Sequence, residues 1–394
     1  LVISVLILRS SSASALETQQ FQTPTPNTSI TYSVDTSESG VMWFLKAAQK
    51  QIVKLETDGS MVEYPLTTFG SNVNTVQTGL PALGPDGNIW YMSLEDGIHS
   101  YLNRINPDGS INIFELKTLS NEEATPYISH SLSLGPDGYF WTAMVRNFDD
   151  YYIAKYDLNG EVIEELDTPA GSPIYNIKAG ISDTMWYTRP DKIGKVTAEG
   201  VVTEYPMPAN HQAFGLELAQ DGNIWFTAID DKGNQQNSKL VVGKITLAGE
   251  FTLYPTQETG IPPAWTLDLG PDGKLWFSLI GAKKMAVVSM DGSIIYHNFS
   301  PLVLMSANKG PDNNIWALSY DPEGVNVVKI SLELEQEVID EQIISNNLLV
   351  NPPYSPRAGN TTIGVIVGAL LVAIFSLMFK YFSRDKTREM KSPR

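Results

Sequence analysis

The stretch Leu83–Ser93, "LGPDGNIWYMS", returns in altered form as "LGPDGYFWTAM" at Leu134–Met144 and as "LGPDGKLWFSL" at Leu269–Leu279. Each copy has an Asp-Gly pair, which is typical of a tight turn because glycine accepts a positive φ, and a tryptophan three residues further on. Tryptophans in this setting recur about every 40 to 50 residues, so the stretch marks a repeated unit. Seven of the eight tryptophans follow the pattern, namely Trp43, Trp90, Trp141, Trp186, Trp225, Trp276 and Trp316.

A second pattern alternates with the first and predicts a β-hairpin in each unit. Examples are "KLETDGSMVEYPL" from Lys54, "RINPDGSINIFEL" from Arg104 and "KVTAEGVVTEYPM" from Lys195, in which two strand-like runs flank a turn pair. One unit therefore contains four strands, and repeats of about 40 to 45 residues with four strands are typical of propeller blades. We predict an all-β fold, a seven-bladed β-propeller with four-stranded blades, over residues 16–344.

The tryptophan has a structural purpose in such a fold. Radial stacking lets each blade bury its two faces against its neighbours. We expect the ring on the second strand of each blade to fill the gap between adjacent sheets, where a tryptophan buries about 150 to 250 Å². Two segments are candidates for the strand that closes the ring. One is "QQFQTP" from Gln19, which resembles the outer strand "EYPLTT" from Glu63, and the other is "EQEVIDEQII" from Glu335.

The composition is that of a folded protein, and the charge excludes one class of partner. Hydrophobic residues make up 42% and aromatic residues 10% of the 394 positions, which is enough for a large core. The net charge of −17 argues against nucleic acid as a partner, because phosphate contacts need clustered lysine and arginine. The chain has no cysteine, which excludes disulfides, thiolate metal sites and a cysteine nucleophile.

The beginning of the chain predicts secretion. Residues 1–15 join the apolar run "LVISVLIL" to Ala13-Ser14-Ala15, a small-x-small pattern typical of signal-peptide cleavage. The basic segment that usually opens a signal peptide is missing, so we expect this signal to be truncated at its start. The alternative is an ordinary buried strand.

The other end predicts a membrane anchor. A linker at residues 345–361 leads to residues 362–380, in which Ile363–Phe379 is an uncharged run that predicts one transmembrane helix. A buried core helix is the alternative. The basic tail at residues 381–394 is expected in the cytoplasm by the positive-inside rule, which places the propeller outside the cell membrane. A GxxxG pattern at Gly364 and Gly368 would permit two such helices to form a dimer.

The repeated units resemble the virginiamycin B lyase (streptogramin lyase) family. The resemblance is carried by "AQDGNIWFTA" from Ala219 and "KIGKVTAEGVVTEYPMP" from Lys192, and more loosely by all seven units. Lyases of this family open a cyclic depsipeptide antibiotic by elimination, with Mg²⁺, two histidines and a glutamate. The resemblance therefore implies a propeller fold and, where these residues are kept, a carbon–oxygen lyase.

The family's catalytic residues are not kept at the positions that match. The two histidines lie on innermost strands, eleven residues before a blade tryptophan, and the glutamate lies two residues before the second histidine. This chain has Trp265 for the first histidine, Met305 for the second and Val303 for the glutamate. None of the three side chains can act as a general base or as a ligand of Mg²⁺. The resemblance thus implies the propeller fold of the family without the known reaction of its lyases.

The innermost strands predict a ring of mostly aromatic residues at the mouth of the central channel. Such a ring could bind an apolar, aromatic or sugar-like ligand by stacking, or it could fill a narrow funnel. The candidate ligand-binding residues are Tyr32, His130, Tyr175, Phe214, Trp265 and Met305.

Two weaker signals point to chemistry. His130 is the one histidine at a position where the family uses one, which makes it a weak catalytic candidate, although a lone histidine is more often a structural residue. The other histidines, His99, His211 and His297, are expected in loops or outer strands. Acidic pairs in loops between second and third strands suggest a Mg²⁺ or Ca²⁺ site, with solvated acidic loops as the alternative. The pairs considered as ligands are Asp149 with Asp150 and Asp230 with Asp231.

The sequence favours a surface receptor or scaffold that binds an unidentified extracellular ligand or protein. The alternative is an enzyme, either a diverged lyase or a lactonase-like hydrolase that acts on a cyclic ester or peptide with a divalent metal. A third hypothesis is a structural part of the cell envelope. Fold alone does not decide between them.

Overall fold

The computed structural model describes most of the region in which the repeats occur. The described residues are 16–24, 34–37, 39–46, 49–66, 76–78, 81–95, 99–119, 132–146, 150–231, 238–259, 264, 266–321 and 324–332. The chain divides into two units, Leu1–Leu334 and Glu335–Arg394, and all described residues belong to the first. The predicted signal peptide, linker, transmembrane run and basic tail lie outside the described residues. In the described part of the chain, no helix is long and apolar enough to cross a membrane.

The described residues form thirty strands. In chain order they are β1 Glu17–Gln22, β2 Val34–Thr36, β3 Met42–Lys46, β4 Gln51–Leu55, β5 Met61–Pro65, β6 Val76–Thr78, β7 Ala82–Leu83, β8 Ile89–Glu95, β9 His99–Ile105, β10 Ile111–Glu115, β11 Leu132–Leu134, β12 Phe140–Arg146, β13 Asp150–Tyr156, β14 Val162–Asp167, β15 Asn176–Ala179, β16 Met185–Arg189, β17 Lys192–Val196, β18 Val202–Pro206, β19 His211–Leu218, β20 Ile224–Asp230, β21 Lys239–Ile245, β22 Phe251–Thr259, β23 Asp268–Leu269, β24 Leu275–Leu279, β25 Lys284–Val288, β26 Ile294–Asn298, β27 Val303–Leu304, β28 Asn308–Lys309, β29 Ile315–Asp321 and β30 Gly324–Ser331. A 3-10 helix, Ile280–Ala282, joins β24 to β25.

These strands make seven antiparallel sheets, one for each predicted unit. Blade 1 is β2-β3-β4-β5, blade 3 is β11-β12-β13-β14, blade 4 is β15-β16-β17-β18, blade 5 is β19-β20-β21-β22 and blade 6 is β23-β24-β25-β26. In blades 2 and 7 two short strands pair with the second strand, since β6 and β7 both pair with β8, and β27 and β28 both pair with β29. The prediction of a seven-bladed propeller with four-stranded blades is confirmed.

The N-terminal strand closes the ring. Strand β1 pairs antiparallel with β30 and so supplies the outer strand of blade 7, with Phe21 opposite Val327. Phe21 also stacks on Trp316 of the same blade at 5.7 Å between ring centroids. The innermost strands then contact one another in a closed circle, in the order β2, β7, β11, β15, β19, β23, β28 and back to β2. Of the two candidate closing segments, the one from Gln19 is therefore used.

The repeated tryptophan fills the gap between blades, as predicted. Trp90 of blade 2 is fully buried and packs against Phe140 of blade 3, with 5.0 Å between ring centroids. The same relation recurs around the ring to its closure, where Trp316 of blade 7 joins the core cluster that contains Phe44 of blade 1. One apolar cluster therefore lies at each junction between described blades, and a ring of such junctions is the core of the fold.

The Asp-Gly turn does more than reverse the chain. Its aspartate accepts a hydrogen bond from the indole N–H four residues later, as in Asp137 to Trp141 at 3.0 Å. The residue opposite this tryptophan on the third strand, Lys155, pairs with the same aspartate at 3.0 Å and lies over the indole ring at 4.6 Å. Burial alone would raise the pKa of Asp137, but the hydrogen bonds from Trp141 and Lys155 hold this pKa below its ordinary value. Equivalent indole bonds to aspartate are made by Trp90, Trp225, Trp276 and Trp316.

Candidate functional site

Two of the predicted channel residues form a stacked pair between neighbouring blades. Tyr175 directly precedes β15 of blade 4, and Phe214 lies on β19 of blade 5. Their rings are nearly parallel, at 8° to one another, with 5.7 Å between centroids. Phe214 is 5% exposed and Tyr175 is half-buried, so the tyrosine offers the accessible side of the pair. We call Tyr175 and Phe214 the aromatic platform.

Local backbone structure explains how Phe214 reaches its neighbour. The pairing of β19 with β20 shifts between Ala213 and Leu216, so Phe214 and Gly215 together oppose a single residue, Thr227. This arrangement is a β-bulge, which re-aims a side chain and bends the strand. The N–H of Gly215 is satisfied by the Thr227 hydroxyl at 3.0 Å. The bulge therefore turns the Phe214 ring toward blade 4 without leaving this buried donor unpaired.

Met305 occupies the matching place in blade 7. Its backbone N–H donates to the carbonyl of Leu318, two residues after Trp316, at 2.7 Å. Tyr175 makes the same bond to Thr188, two residues after its own blade tryptophan, at 2.8 Å. The two positions are thus equivalent in the blade, which supports counting eleven residues back from the tryptophan. The Met305 side chain is half-buried and packs on the cluster that contains Trp316 and Leu318.

The residues of blade 7 do not fit the Mg²⁺ that the family resemblance implies. Val303, at the place of the glutamate, is an aliphatic residue on β27 and pairs with Tyr320. Met305 offers a thioether, whereas Mg²⁺ binds oxygen ligands. Among the described residues there is no group of three or more histidine and acidic side chains that could hold a metal ion.

Only some of the remaining predicted site residues are among the described residues. Tyr32, His130, Trp265 and Asp149 lie outside the described residues. Asp150 begins β13, is exposed and lies 3.6 Å from Arg146, which gives it a cationic neighbour within its own blade. Asp230 ends β20 and Asp231 follows it, both half-buried, and Asp231 accepts a bond from the Gln212 amide at 3.4 Å.

The placement of two other histidines differs from the prediction. His211 begins the innermost strand β19 and His99 begins the third strand β9, so neither lies in a loop or an outer strand. His211 directly follows the turn at Ala209 and Asn210. His297 does lie on an outer strand, β26, where it stacks on Trp276 with 6.0 Å between ring centroids. Burial, and then the charge of Lys274, lower the pKa of His297.

A charged cluster that the sequence did not predict lies in blade 4. Arg189, fully buried, pairs with Glu204 at 2.9 Å, and Lys192 contacts the other carboxylate oxygen at 2.9 Å. The hydroxyl of Tyr187 donates to Glu204 at 2.9 Å, and burial, followed by the glutamate charge, raises the pKa of Tyr187 above its ordinary value. Arg189 also donates to the carbonyl of Ser172, in the segment that leads into β15. The one sequence signal was the Arg-Pro-Asp-Lys run in the second hairpin turn of this blade.

The fold and the site define a class of protein, a seven-bladed propeller with an aromatic pair at two neighbouring innermost strands. The model of the virginiamycin B lyase family matches residues 117–331, more than half of the chain. The chain therefore belongs to the virginiamycin B lyase family. No curated protein matches the sequence.

Solved structures agree on the fold. A streptogramin B lyase is 22% identical, with a TM-score of 0.62 over 80% of this chain and 98% of that one. A catalytically inactive virginiamycin B lyase from Staphylococcus aureus, solved with quinupristin, gives the same identity and TM-score over 80% of this chain and 100% of the other. The extracellular domain of a hybrid two-component system from B. thetaiotaomicron is 14% identical, with a TM-score of 0.57 over 79% of this chain and 42% of that one.

Proposed function

We propose that this protein binds an apolar ligand of the cyclic-peptide class on the aromatic platform and does not open it by elimination. The observation that carries the proposal is the parallel stack of Tyr175 on Phe214 at 5.7 Å, with Tyr175 just before β15 and Phe214 on β19. An accessible aromatic face supported from behind by a second ring favours flat apolar or aromatic groups, because stacking adds to the area that is buried. Membership of the lyase family and the quinupristin complex of a relative favour this ligand class.

The loss of elimination follows from the residues of blade 7. Elimination needs a base that removes a proton next to the ester, and the family uses a histidine at the place that Met305 holds here. A thioether cannot accept that proton, and Val303 cannot replace the glutamate. We therefore expect binding to have been kept and the chemical step to have been lost. The competing function is a diverged lyase or a lactonase-like enzyme that uses other residues.

The same proposal places the propeller outside a cell membrane, held by the apolar run Ile363–Phe379. Its support is the length of this run, the basic tail that follows it and the signal-like residues 1–15. The test is protease treatment of intact cells that express the whole chain, with one epitope tag inserted before residue 16 and a second tag after residue 394. External protease should remove the propeller and spare the C-terminal tag, whereas protection of the propeller would contradict the placement.

Binding is tested by isothermal titration of the full chain with quinupristin. We expect saturable binding that weakens about fivefold in Tyr175→Ala, since a stacking contact contributes about 1 kcal/mol and about 1.4 kcal/mol corresponds to a factor of ten. Tyr139→Ala is the matched control, because Tyr139 lies in the Asp-Gly turn of blade 3 rather than on an innermost strand. An equal loss in both variants, or no binding by the unaltered chain, would contradict the proposal.

The competing enzyme hypothesis is tested in the same samples. Elimination opens the ring without adding or removing atoms, so the linear product has the mass of the ligand and must be separated by chromatography. Incubation with Mg²⁺ or Ca²⁺ should leave the ligand cyclic. Accumulation of the linear isomer in proportion to protein would favour the enzyme.

A further inference from the structure

A single residue of blade 4, Thr188, is bonded to both members of the aromatic platform. Its carbonyl oxygen accepts the backbone N–H of Tyr175 at 2.8 Å. Its hydroxyl donates to the carbonyl oxygen of Phe214 in the next blade. Thr188 is fully buried on the second strand, where its conformation is fixed by the sheet on either side. The backbones of both platform residues are therefore hydrogen-bonded to one buried residue.

A hydrogen bond from a hydroxyl to the next blade occurs in other blades as well. Its contribution to stability can therefore be distinguished from its effect on the platform. Thr227 of blade 5 donates to the carbonyl of Ala264 at 2.6 Å, and Ser278 of blade 6 donates to the carbonyl of Leu304. Each hydroxyl lies two residues after the blade tryptophan and is bonded to a backbone carbonyl of the next blade. All three bonds are expected to stabilise the ring. Of the three, Thr188 contacts the backbones of both platform residues.

We infer that Thr188 is the positioning residue of the platform, which sets the spacing and the parallel orientation of the Tyr175 and Phe214 rings. The hydroxyl holds Phe214 at the bulge, where regular strand pairing is interrupted and cannot fix the backbone. Without it, the carbonyl of Phe214 loses this donor and the bulge can relax away from blade 4. This inference rests on the proposed binding function for its effect on affinity, but its effect on ring geometry does not depend on any ligand.

The test compares Thr188→Val, which keeps the shape and removes the donor, with Thr188→Ser, which keeps the donor. Ser278→Ala is the matched control, because it removes the same kind of bond between blades 6 and 7. Ring geometry is read from the aromatic NMR signals of Phe214, assigned with Phe214→Leu, whose shifts depend on the stacked Tyr175 ring. Affinity is read by titration with quinupristin, and folding by thermal melting of each full-length variant.

We expect Thr188→Val to move the Phe214 ring signals and to weaken quinupristin binding by up to about fivefold, the effect of losing a stacking contact of about 1 kcal/mol. Thr188→Ser should restore both readouts, and Ser278→Ala should lower the melting temperature without altering either. Unchanged ring signals in Thr188→Val, or altered signals in the folded Thr188→Ser, would overturn the inference. If the unaltered chain does not bind quinupristin, the proposed function fails while the NMR comparison still decides the role of Thr188.

Discussion

Phe21 lies against Gly59, at a point where a single Cβ atom on the glycine would come within 2.0 Å of the phenylalanine ring. The contact joins the N-terminal strand to the outer hairpin of blade 1. Gly109, Gly249 and Gly292 meet an aromatic side chain of the preceding blade in the same way. Phe21 is thus the blade 7 counterpart of the tyrosine in the repeated Glu-Tyr-Pro pattern, and it closes the ring by the same contact that joins these other blades.

Removal of this ring should weaken closure. We expect Phe21→Ala to lower the free energy of unfolding by about 2 kcal/mol, because it deletes a half-buried ring that packs on both Trp316 and Gly59. Gln20→Ala, on the exposed side of the same strand, should stay within about 0.5 kcal/mol. Urea denaturation followed by tryptophan fluorescence measures both. Equal stabilities of the two variants would show that β1 does not close the ring in solution.

The two glycines of one Asp-Gly turn should differ in their tolerance. A Cβ at Gly135 would lie 2.3 Å from the indole nitrogen of Trp141, whereas a Cβ at Gly138 meets nothing within 4 Å and is disfavoured by its φ of +79° alone. We expect Gly135→Ala to cost about 2 kcal/mol or more and Gly138→Ala about 1 kcal/mol. Gly138→Asn should be nearly neutral because asparagine tolerates this conformation. Thermal melting ranks the three, and a larger loss in Gly138→Ala would contradict the packing described.

The turn aspartates predict how stability changes with pH. Hydrogen bonds hold the pKa values of Asp86, Asp137, Asp221 and Asp312 below their ordinary values, although burial alone would raise them. A carboxyl with a lower pKa in the folded state stabilises the fold above its unfolded pKa, and this contribution is lost as the pH falls through the folded value. We expect the free energy of unfolding to fall steadily below about pH 4.

Substitution identifies the groups responsible. Asp137→Asn should reduce stability at pH 7 and flatten its decline in acid, while Asp183→Asn, at an exposed turn position, should leave the profile unchanged. Urea denaturation between pH 2 and pH 7 gives the profiles. A decline in Asp137→Asn as steep as in the unaltered chain would assign the acid sensitivity to other carboxyls.

The buried ion pair of blade 4 should be sensitive to the loss of one partner. Glu204 is 7% exposed and Arg189 is fully buried, so Glu204→Ala leaves a buried guanidinium without its counter-charge. We expect a loss of about 3 kcal/mol, most of it recovered when Arg189→Met is added, because the penalty comes from the unpaired charge. Glu56→Ala, at the exposed pair with Lys54, should change stability by about 0.5 kcal/mol or less. A double variant as unstable as Glu204→Ala would contradict this explanation.

Much of the fold could be predicted because the repeat is visible in the sequence, with a tryptophan about every 40 to 50 residues. Trp90 and its equivalents give the blade count, and the Asp-Gly and Glu-Tyr-Pro patterns place the strands around them. The sequence left two candidates for the closing strand, because outer strands share little sequence pattern beyond one aromatic residue. Pairing of Phe21 with Val327 decides it.

Less of the site could be predicted. Counting back from the tryptophan located Tyr175, Phe214 and Met305, but not that the first two stack, because the bulge at Phe214 and Gly215 has no reliable sequence signature. Thr188 was missed for a similar reason. A buried threonine on a strand is ordinary, and its significance lies in a carbonyl of the next blade that is 26 positions away. The binding roles of the channel residues remain predictions.

The most direct test of the account is a titration of the full chain with quinupristin in the presence of Mg²⁺, followed by chromatography of the recovered ligand. We predict saturable binding that Tyr175→Ala weakens about fivefold, with the ligand recovered in its cyclic form. Binding that is indifferent to Tyr175, or recovery of the linear isomer, would contradict the claim that the aromatic platform binds while blade 7 has lost the chemistry of the family.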